Sequence, residues 1–285
     1  MHLRPDHAVH DLPTLHAFIR QHPLGLLTTS LPSTDFPTLQ CTHIPWVLDP
    51  PEGFADADLN SNSNSKPEKG KLRGHIARTN PHTRAMVQAV TGTGRDAGSD
   101  FVTADASGTQ GLTLPGEVLI VFTSPIDHYI SPHFYTETKN LNGKVAPTWN
   151  YAAVQVYGRM VVYHDVKDKK TGRFLMDQLG DLARLGEVGV MGYTSREGWN
   201  DGTDVERGDQ GRSPWEIADA PREYIETLKK GIVGMEVEIT RVEGRFKVSQ
   251  EKRGMDREGV VGGLEAIGSA RASEMARFVR SGRVV

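Results

Sequence analysis

A long run of β-forming residues, Thr148–Tyr163, limits the possible folds more than any other part of this sequence. Gly158 lies inside the run, so we predict an interruption of the strand there. Shorter runs rich in β-branched and aromatic residues are also predicted strands. They are Leu24–Thr29, Thr38–Leu48, Lys71–Ala77, Glu117–Thr123 and Asp127–Ser131. Consecutive strands without βαβ alternation predict an antiparallel barrel rather than a parallel sheet.

Hairpins are predicted to connect neighbouring strands. The first joins the two runs on either side of the turn-forming segment Ser30–Pro37. The second pairs Glu117–Thr123 with Asp127–Ser131. The last pairs Ile232–Val242 with Arg245–Val248 around Gly244, because glycine commonly marks a hairpin turn.

Helices are predicted between and after the strands, where capping residues precede amphipathic runs. Asn80 followed by Pro81 is one such start, and Ser213 with Glu216 is typical of a capping box. The predicted helices cover about residues 11–22, 80–90, 174–185, 213–230 and the chain from 256 onward.

The chain is long enough for one barrel domain with appendages. We predict one barrel domain over residues 1–250, with loop insertions near 49–70, 91–115 and 187–212, and a C-terminal helical extension over 251–285. The insertions are expected because those segments are rich in Gly, Ser, Asn and Asp and offer no apolar face to a core.

Charge and cysteine content exclude several classes of function. The net charge of −3 and the absence of a basic run disfavour direct nucleic-acid binding. A single cysteine, Cys41, excludes an intrachain disulfide and a multi-thiolate metal site. Neither a signal peptide nor a membrane-spanning run is recognisable, so we expect a cytoplasmic protein without membrane attachment.

Common nucleotide and hydrolase motifs are absent. Gly92-Thr93-Gly94 with Gly98 lacks both the spacing and the strand–turn–helix context of a dinucleotide-binding fingerprint. The sequence has no Walker A motif and no Gly-x-Ser-x-Gly elbow. Its eleven histidines form no recognisable metal motif, and no metal site is predicted.

A family resemblance is carried by several short segments taken in order. They are Gly25–Thr29, Cys41–Pro45, Gly74–Pro81, Ala146–Tyr151, Lys230–Gly234 and Phe246–Gln250. Together the segments resemble the PaiB-type negative transcriptional regulators, a branch of the FMN-binding split-barrel superfamily. Pro-Thr-Trp-Asn-Tyr and Lys-Gly-Ile-Val-Gly are the most specific parts, and the resemblance extends over about residues 1–280.

This resemblance implies a mainly β fold with helices: a six-stranded antiparallel split β-barrel of the FMN-binding type, with flanking helices and a helical C-terminal region. It also implies a homodimer that holds FMN in a groove between its subunits. Some split-barrel relatives handle haem, so haem is the alternative cofactor.

Candidate cofactor-binding residues combine this resemblance with the chemistry of flavin. A helix N-terminus beside arginines suits the phosphate, and threonine hydroxyls can add donors. A flat aromatic wall with a few donors suits the isoalloxazine ring. The candidates are Thr28, Thr29, His43, Ile44, Pro45, His75, Arg78, Thr79, Asn80, Pro81, Arg84, Trp149, Asn150 and Lys247.

Several of these candidate residues also have a purely structural explanation. Trp149 could pack in the barrel core or in a dimer interface, and Arg78 and Arg84 could lie on a solvated helix face. His43 and His75 could be core histidines bonded to neighbouring groups.

Two functions follow from the resemblance. One is a flavin-dependent oxidoreductase acting on a small molecule, for which His43, His128 and Tyr129 are the candidate catalytic residues. The other is a transcriptional regulator of the PaiB type, acting directly or through metabolism. The charge favours an indirect effect, because the sequence lacks a basic recognition helix.

Overall fold

The computed structural model describes residues 1–51, 69–92, 111–194 and 213–285. The predicted loop insertions near 49–70, 91–115 and 187–212 lie largely outside these ranges. Within the described ranges, no helix has the length and apolar character needed to cross a bilayer.

The described chain forms ten strands, several of them short. In chain order they are β1 Ala8–Val9, β2 Leu24–Ser30, β3 Leu39–Pro45, β4 Val47–Asp49, β5 Lys71–Ala77, β6 Leu112–Thr113, β7 Val118–Thr123, β8 His128–Ile130, β9 Thr148–Tyr163 and β10 Ile232–Lys247.

Seven α-helices accompany the strands in the described ranges. They are α1 Leu12–Gln21, α2 Pro81–Thr91, α3 Thr138–Asn142, α4 Lys169–Arg184, α5 Arg222–Lys230, α6 Gly254–Ile267 and α7 Ala270–Ser281. Two 3-10 turns, Pro132–Phe134 and Ile217–Asp219, and a π-helical turn, Leu185–Val190, complete the regular structure.

The sheet closes into a six-stranded antiparallel barrel. Its strand order is β3-β2-β7-β9-β10-β5-β4, and every neighbouring pair is antiparallel. Only Trp46 separates β3 from β4, so both ends of this order belong to one bent strand. The predicted barrel and its mixed β and α composition are therefore confirmed.

The barrel interior is built around an indole ring. Trp46 is 1% exposed and belongs to a continuous apolar core. A Cβ at Gly25 would lie 2.9 Å from Trp46 Cδ1, and one at Gly74 would lie 3.0 Å from Trp46 Cε3. These two glycines therefore provide the space that the indole occupies.

The predicted final hairpin is wrong, because β10 is one continuous 16-residue strand. Gly244 pairs with Val154 on one side and with Val9 on the other. A Cβ at this position would overlap the side chain of Leu15 in α1. Gly244 thus permits close packing of the N-terminal segment, and it does not form a turn.

The predicted break in β9 at Gly158 is also wrong. The strand runs unbroken from Thr148 to Tyr163, and the irregularity lies in β10, where the register shifts between Ile239 and Arg241. A Cβ at Gly158 would overlap the carbonyl oxygen of Glu238. The glycine accommodates the neighbouring bulge without interrupting its own strand.

The predicted hairpin between Glu117–Thr123 and Asp127–Ser131 is wrong in its pairing. The second run forms β8, but β8 pairs with the beginning of β9 and not with β7. Strand β7 instead lies between β2 and β9. The long strand β9 has room for both neighbours, which sequence adjacency does not reveal.

In two segments the observed helices differ from the predicted ones. Ser213 does not begin a helix: the capping pair is Glu216 with Asp219 on a 3-10 turn, and α5 starts only at Arg222. The stretch 132–147, where no helix is predicted, contains a 3-10 turn and α3. The other predicted helices are present, including the N-cap of Asn80 on α2.

The C-terminal helices pack on the barrel. Val260 and Leu264 of α6 and Met275 of α7 are buried in the same apolar cluster as the barrel strands. This packing places the chain end beside β8 and the segment that follows it.

Candidate functional site

Two exposed aromatic side chains face each other at one end of β9. Tyr129 on β8 pairs directly with Trp149 on β9. Their ring centroids are 6.1 Å apart in an edge-to-face arrangement, and the residues are 42% and 56% exposed. Trp149 is therefore not a barrel-core residue, and the two rings offer an open aromatic surface, here called the aromatic pair.

Lys247 lies behind the aromatic pair. Its ammonium donates to the carbonyl oxygen of Trp149 at 2.6 Å and to the hydroxyl of Thr148. Burial lowers the pKa of Lys247, and the nearby Arg245 adds to this effect. An ammonium has three donors, so two bonds hold the start of β9 and one N–H remains for another acceptor.

Asn150 is fully buried, and its side-chain amide bonds to Ser249. Asn150 Nδ2 donates to Ser249 Oγ at 2.9 Å, and Ser249 Oγ lies 3.2 Å from Asn150 Oδ1. Ser249 has a φ of +58°, which is uncommon for a residue with a side chain. The predicted donor Asn150 thus supports Trp149 from within the core.

His128, a candidate base, also belongs to this end of the barrel. Its Nδ1 lies 2.7 Å from the carbonyl oxygen of Tyr129. A carbonyl can only accept, so this nitrogen carries the proton and the neutral ring keeps a lone pair on Nε2. His128 and Tyr129 therefore lie together, whereas the third catalytic candidate, His43, lies elsewhere.

His43 lies on the outward surface of β2, β3 and β7, here called the outer sheet face. Leu26 pairs with His43 on one side and with Val121 on the other. Thr28 Oγ1 contacts Cys41 Sγ at 3.2 Å on the same surface. The outward residues are Leu24, Leu26, Thr28, Leu39, Cys41, His43, Leu119 and Val121.

Thr29 points the opposite way and joins an imidazole that sequence analysis missed. This residue is His82, in the first turn of α2. Its Nε2 lies 2.8 Å from Thr29 Oγ1, and its Nδ1 lies 2.8 Å from Thr42 Oγ1. Burial lowers the pKa of His82 to about 4. The neutral ring accepts from one hydroxyl and donates to the other, tying α2 to the β2–β3 hairpin.

A sequence signal for His82 exists. The residue falls at helical spacing with Ala85, Met86 and Val90, the buried side of α2. A histidine on an apolar helix face needs polar partners. The two threonines lie about 40 and 53 positions earlier in the chain, so only the folded structure identifies them.

The predicted phosphate-binding turn uses much of its donor capacity internally. The Arg78 guanidinium donates to the carbonyl oxygens of Lys230, His164 and Ile232 at 2.8–3.1 Å. Asn80 Oδ1 accepts from His82 N at 2.9 Å and so caps α2 itself. Arg78 thus anchors the turn.

The remaining residues of this turn are open to solvent. Thr79, Pro81 and Arg84 are exposed. The Arg84 guanidinium lies 5.5 Å from the ring centroid of Phe36, which belongs to the β2–β3 connection. Of the two arginines near this turn, Arg78 and Arg84, only Arg84 donates no hydrogen bond to an acceptor among the described residues.

Three other candidate cofactor residues lie in or beside the protein core. Ile44 is 1% exposed and belongs to the core, so only its backbone could serve a ligand. Pro45 ends β3 and is half-buried. His75 lies under α4, where Nδ1 is 2.7 Å from Gln178 Oε1.

The aromatic pair and the phosphate turn lie at opposite ends of the barrel. Tyr151 pairs with Lys247 at one end of β9, and Tyr163 pairs with Gly234 at the other, beside β5 and the Arg78 turn. Strand β9 has 16 residues, which corresponds to about 50 Å of chain at 3.3 Å per residue. The two groups therefore belong to opposite ends of this strand.

A cavity of about 810 Å³ lies apart from all these candidates. Its walls come from α4, the π-helical turn and the segment 214–218, and they include Trp215, Arg184 and Asp177. Arg73 also borders the cavity, and its guanidinium forms an ion pair with Asp181 at 2.8 Å. Because none of the candidate cofactor residues lines the cavity, we assign no flavin to it.

Sequence comparison identifies a domain family along most of the chain. A family model described as "Putative FMN-binding domain" matches residues 1–241. An uncharacterized protein of Aspergillus fumigatus is 44% identical over 282 residues, which cover 98% of this chain and 97% of the relative. One of Emericella nidulans is 40% identical over 280 residues, covering 98% and 96%.

Solved structures give weaker similarities. The FAD and heme binding protein from Mycobacterium smegmatis has a TM-score of 0.39 at 10% identity, covering 84% of this chain and 73% of that one. The flavocytochrome Anf3 from Azotobacter vinelandii has a TM-score of 0.37 at 10% identity, covering 86% and 72%. The barrel assignment therefore rests on the strand pairing described above. With its family match over residues 1–241 and two relatives identical at 40% or more, this chain belongs to the FMN-binding domain family.

Proposed function

We propose that this protein binds FMN, with the isoalloxazine ring against the aromatic pair. The observation that carries the proposal is an exposed Trp149, edge-to-face with Tyr129, in a chain of the FMN-binding domain family. Two neighbouring exposed aromatic rings provide the flat apolar wall that a flavin needs.

The groups around the aromatic pair suit a flavin ring. Lys247 keeps one N–H beyond its bonds to Thr148 and Trp149, which can reach an electron-rich edge of the ring. The buried Asn150–Ser249 pair holds the backbone beneath Trp149. A wall supported by packed neighbours needs little reorganisation on binding.

The second part of the proposal is a homodimer. The aromatic pair and the turn with Arg84 lie at opposite ends of β9. Because one FMN molecule is short compared with a strand of 16 residues, we infer that the two groups reach it from two copies. We infer that Thr79 and Arg84 of one subunit face the phosphate while Trp149 of the other faces the ring.

The third part is the reaction, a flavin-dependent oxidation or reduction of a small molecule. Bound flavin accepts and returns electrons or hydride at its N5 position. The His128 imidazole, with its proton held on Nδ1 by the Tyr129 carbonyl, keeps Nε2 available to take a proton from a substrate beside the rings.

A titration with FMN tests the proposal. We expect the protein to acquire flavin absorption bands, and Trp149→Ala to raise the Kd for FMN about tenfold, because aromatic stacking contributes about 0.5–1.5 kcal/mol beyond area burial. Trp215→Ala is the matched control, since Trp215 is also exposed but borders the separate cavity. Equal effects of the two substitutions would contradict the assignment of the ring to the aromatic pair.

The alternatives give different results in the same experiments. A sharp Soret band in the purified protein, without flavin bands, would identify haem as the cofactor. Direct regulation of transcription, which the PaiB-type resemblance implies, requires a DNA mobility shift that persists at physiological salt. With a net charge of −3 we expect no such shift.

A further inference from the structure

The C-terminal segment 247–263, here called the C-terminal strap, lies beyond the family match to residues 1–241. It runs beside the connection 131–147, which links β8 to β9. The two residues of the aromatic pair stand just outside the two ends of this connection. Whatever holds the connection therefore also influences how β8 lies against β9.

The strap first holds the β9 end. Lys247 bonds to the carbonyl oxygen of Trp149, and Ser249 bonds to the side chain of Asn150. Further along, Lys252 Nζ lies 4.5 Å from the ring centroid of Tyr135, and Tyr135 is 2% exposed. These contacts attach the strap to both the strand and the connection.

Asp256 makes the densest contact between strap and connection. Its carboxylate accepts from Glu137 N at 2.9 Å, from Thr138 N at 3.1 Å and from Thr138 Oγ1. Burial acts to raise the pKa of Asp256, but these hydrogen bonds lower it. Overall the pKa is lowered. The carboxylate thus serves as the N-terminal cap of α3 from a distant part of the chain.

Close packing follows one turn later on α6. A Cβ at Gly259 would overlap the carbonyl oxygen of Phe134, and one at Gly263 would overlap the Phe134 ring. Thr136 Oγ1 donates to Met255 O at 3.0 Å. The 3-10 turn and the start of α3 therefore rest directly on the backbone of α6.

We propose that the C-terminal strap positions the aromatic pair for its ligand, with Asp256 as the main positioning residue. The contacts above hold the connection between Tyr129 and Trp149 at both of its ends. Loss of the Asp256 cap would free α3 and lower the fraction of molecules with both rings in place. The role in flavin binding rests on the function proposed above.

Hydrogen exchange and FMN titration of the full chain test this role. We expect Asp256→Ala to speed amide exchange in residues 131–149 of the flavin-free protein and to raise the Kd for FMN about tenfold, because apparent affinity falls with the competent fraction. Asp256→Asn, whose amide oxygen can still accept from both backbone N–H groups, should restore most of the affinity.

Asp168→Ala is the matched control. Asp168 caps α4 in the same way, accepting from Lys170 N at 3.2 Å, Thr171 N at 2.9 Å and Thr171 Oγ1 at 3.1 Å. A similar Kd increase in this variant, or unchanged exchange in Asp256→Ala, would overturn the proposal. If the unsubstituted protein does not bind FMN, the proposed function fails, while the exchange comparison still decides whether Asp256 positions the aromatic pair.

Discussion

Among single residues, the buried His82 links the stability of the folded protein to pH. It lies between Thr29 and Thr42, and burial lowers its pKa to about 4 from the ordinary value of 6.5. Protonation would turn the acceptor nitrogen into a second donor and place a charge inside the protein. The hydroxyl that donates to the neutral ring would then have to reorient.

We expect acid to destabilise the folded protein partly through His82. Between pH 6.5 and 4 the unfolded chain binds a proton at this position that the folded chain does not, so stability falls as pH falls. The pKa difference corresponds to at most about 3 kcal/mol. Denaturant unfolding of His82→Gln at pH 7, 5.5 and 4 should show a smaller loss of stability than in the unsubstituted protein.

Thr42→Val provides the control for this measurement. It removes one hydroxyl partner of His82 but leaves the buried imidazole in place, so the pH dependence should persist even if stability at pH 7 falls. A His82→Gln variant whose stability falls with pH as steeply as that of the unsubstituted protein would contradict the assignment.

At the scale of elements, the longest strands explain where sequence-based boundaries were wrong. Glycines at 158 and 244 predict breaks, yet both lie within strands of 16 residues. Each faces an atom that a Cβ would overlap, in Glu238 and Leu15 respectively. Close approach of a neighbouring element and a turn both select glycine, and the local sequence does not distinguish the two causes.

This interpretation predicts opposite effects for two glycine substitutions. Gly244→Ala should destabilise the protein by about 1–3 kcal/mol, because the methyl group meets Leu15. Gly180→Ala in α4 should stabilise it by about 0.5–1 kcal/mol, since no atom lies within 4 Å of that position. Urea unfolding measures both, and a neutral or stabilising Gly244→Ala would refute close packing at this site.

At the scale of the whole molecule, we propose that the outer sheet face contacts a second copy of the chain. Leu24 and Leu39 are 59% and 69% exposed, and on the same face Leu26 of β2 pairs with Val121 of β7. An apolar surface formed by several strands favours association. The second reason for proposing a dimer is that Trp149 and the Arg78 turn belong to opposite ends of β9.

We expect sedimentation to give twice the chain mass of 31.3 kDa, and Val121→Lys to shift the protein toward monomer and to weaken FMN binding. A lysine at position 121, beside Leu26 on the outer sheet face, would carry its charge into the interface. Val166→Lys is the control, because Val166 is an exposed valine in the segment after β9. A monomer that binds FMN normally would refute the shared site.

The sequence by itself determined the barrel class and most element positions, because they depend on local periodicity, capping and composition. Lys71–Ala77 and Thr148–Tyr163 are strands with the predicted bounds, and Asn80 caps its helix as predicted. The motif around Trp149 contributed to a resemblance of which the coarser part, an FMN-binding domain, is confirmed by the match to residues 1–241.

Only the tertiary structure decided which side chains meet. It places Asn150 in the core and Trp149 in solvent, joins His82 to Thr29, and brings Asp256 to Thr138 across 118 positions of sequence. Such contacts depend on strand register and helix docking, which arise from the packing of the whole chain. Local patterns predict an element's type and position, whereas a binding site is formed by residues distant in sequence.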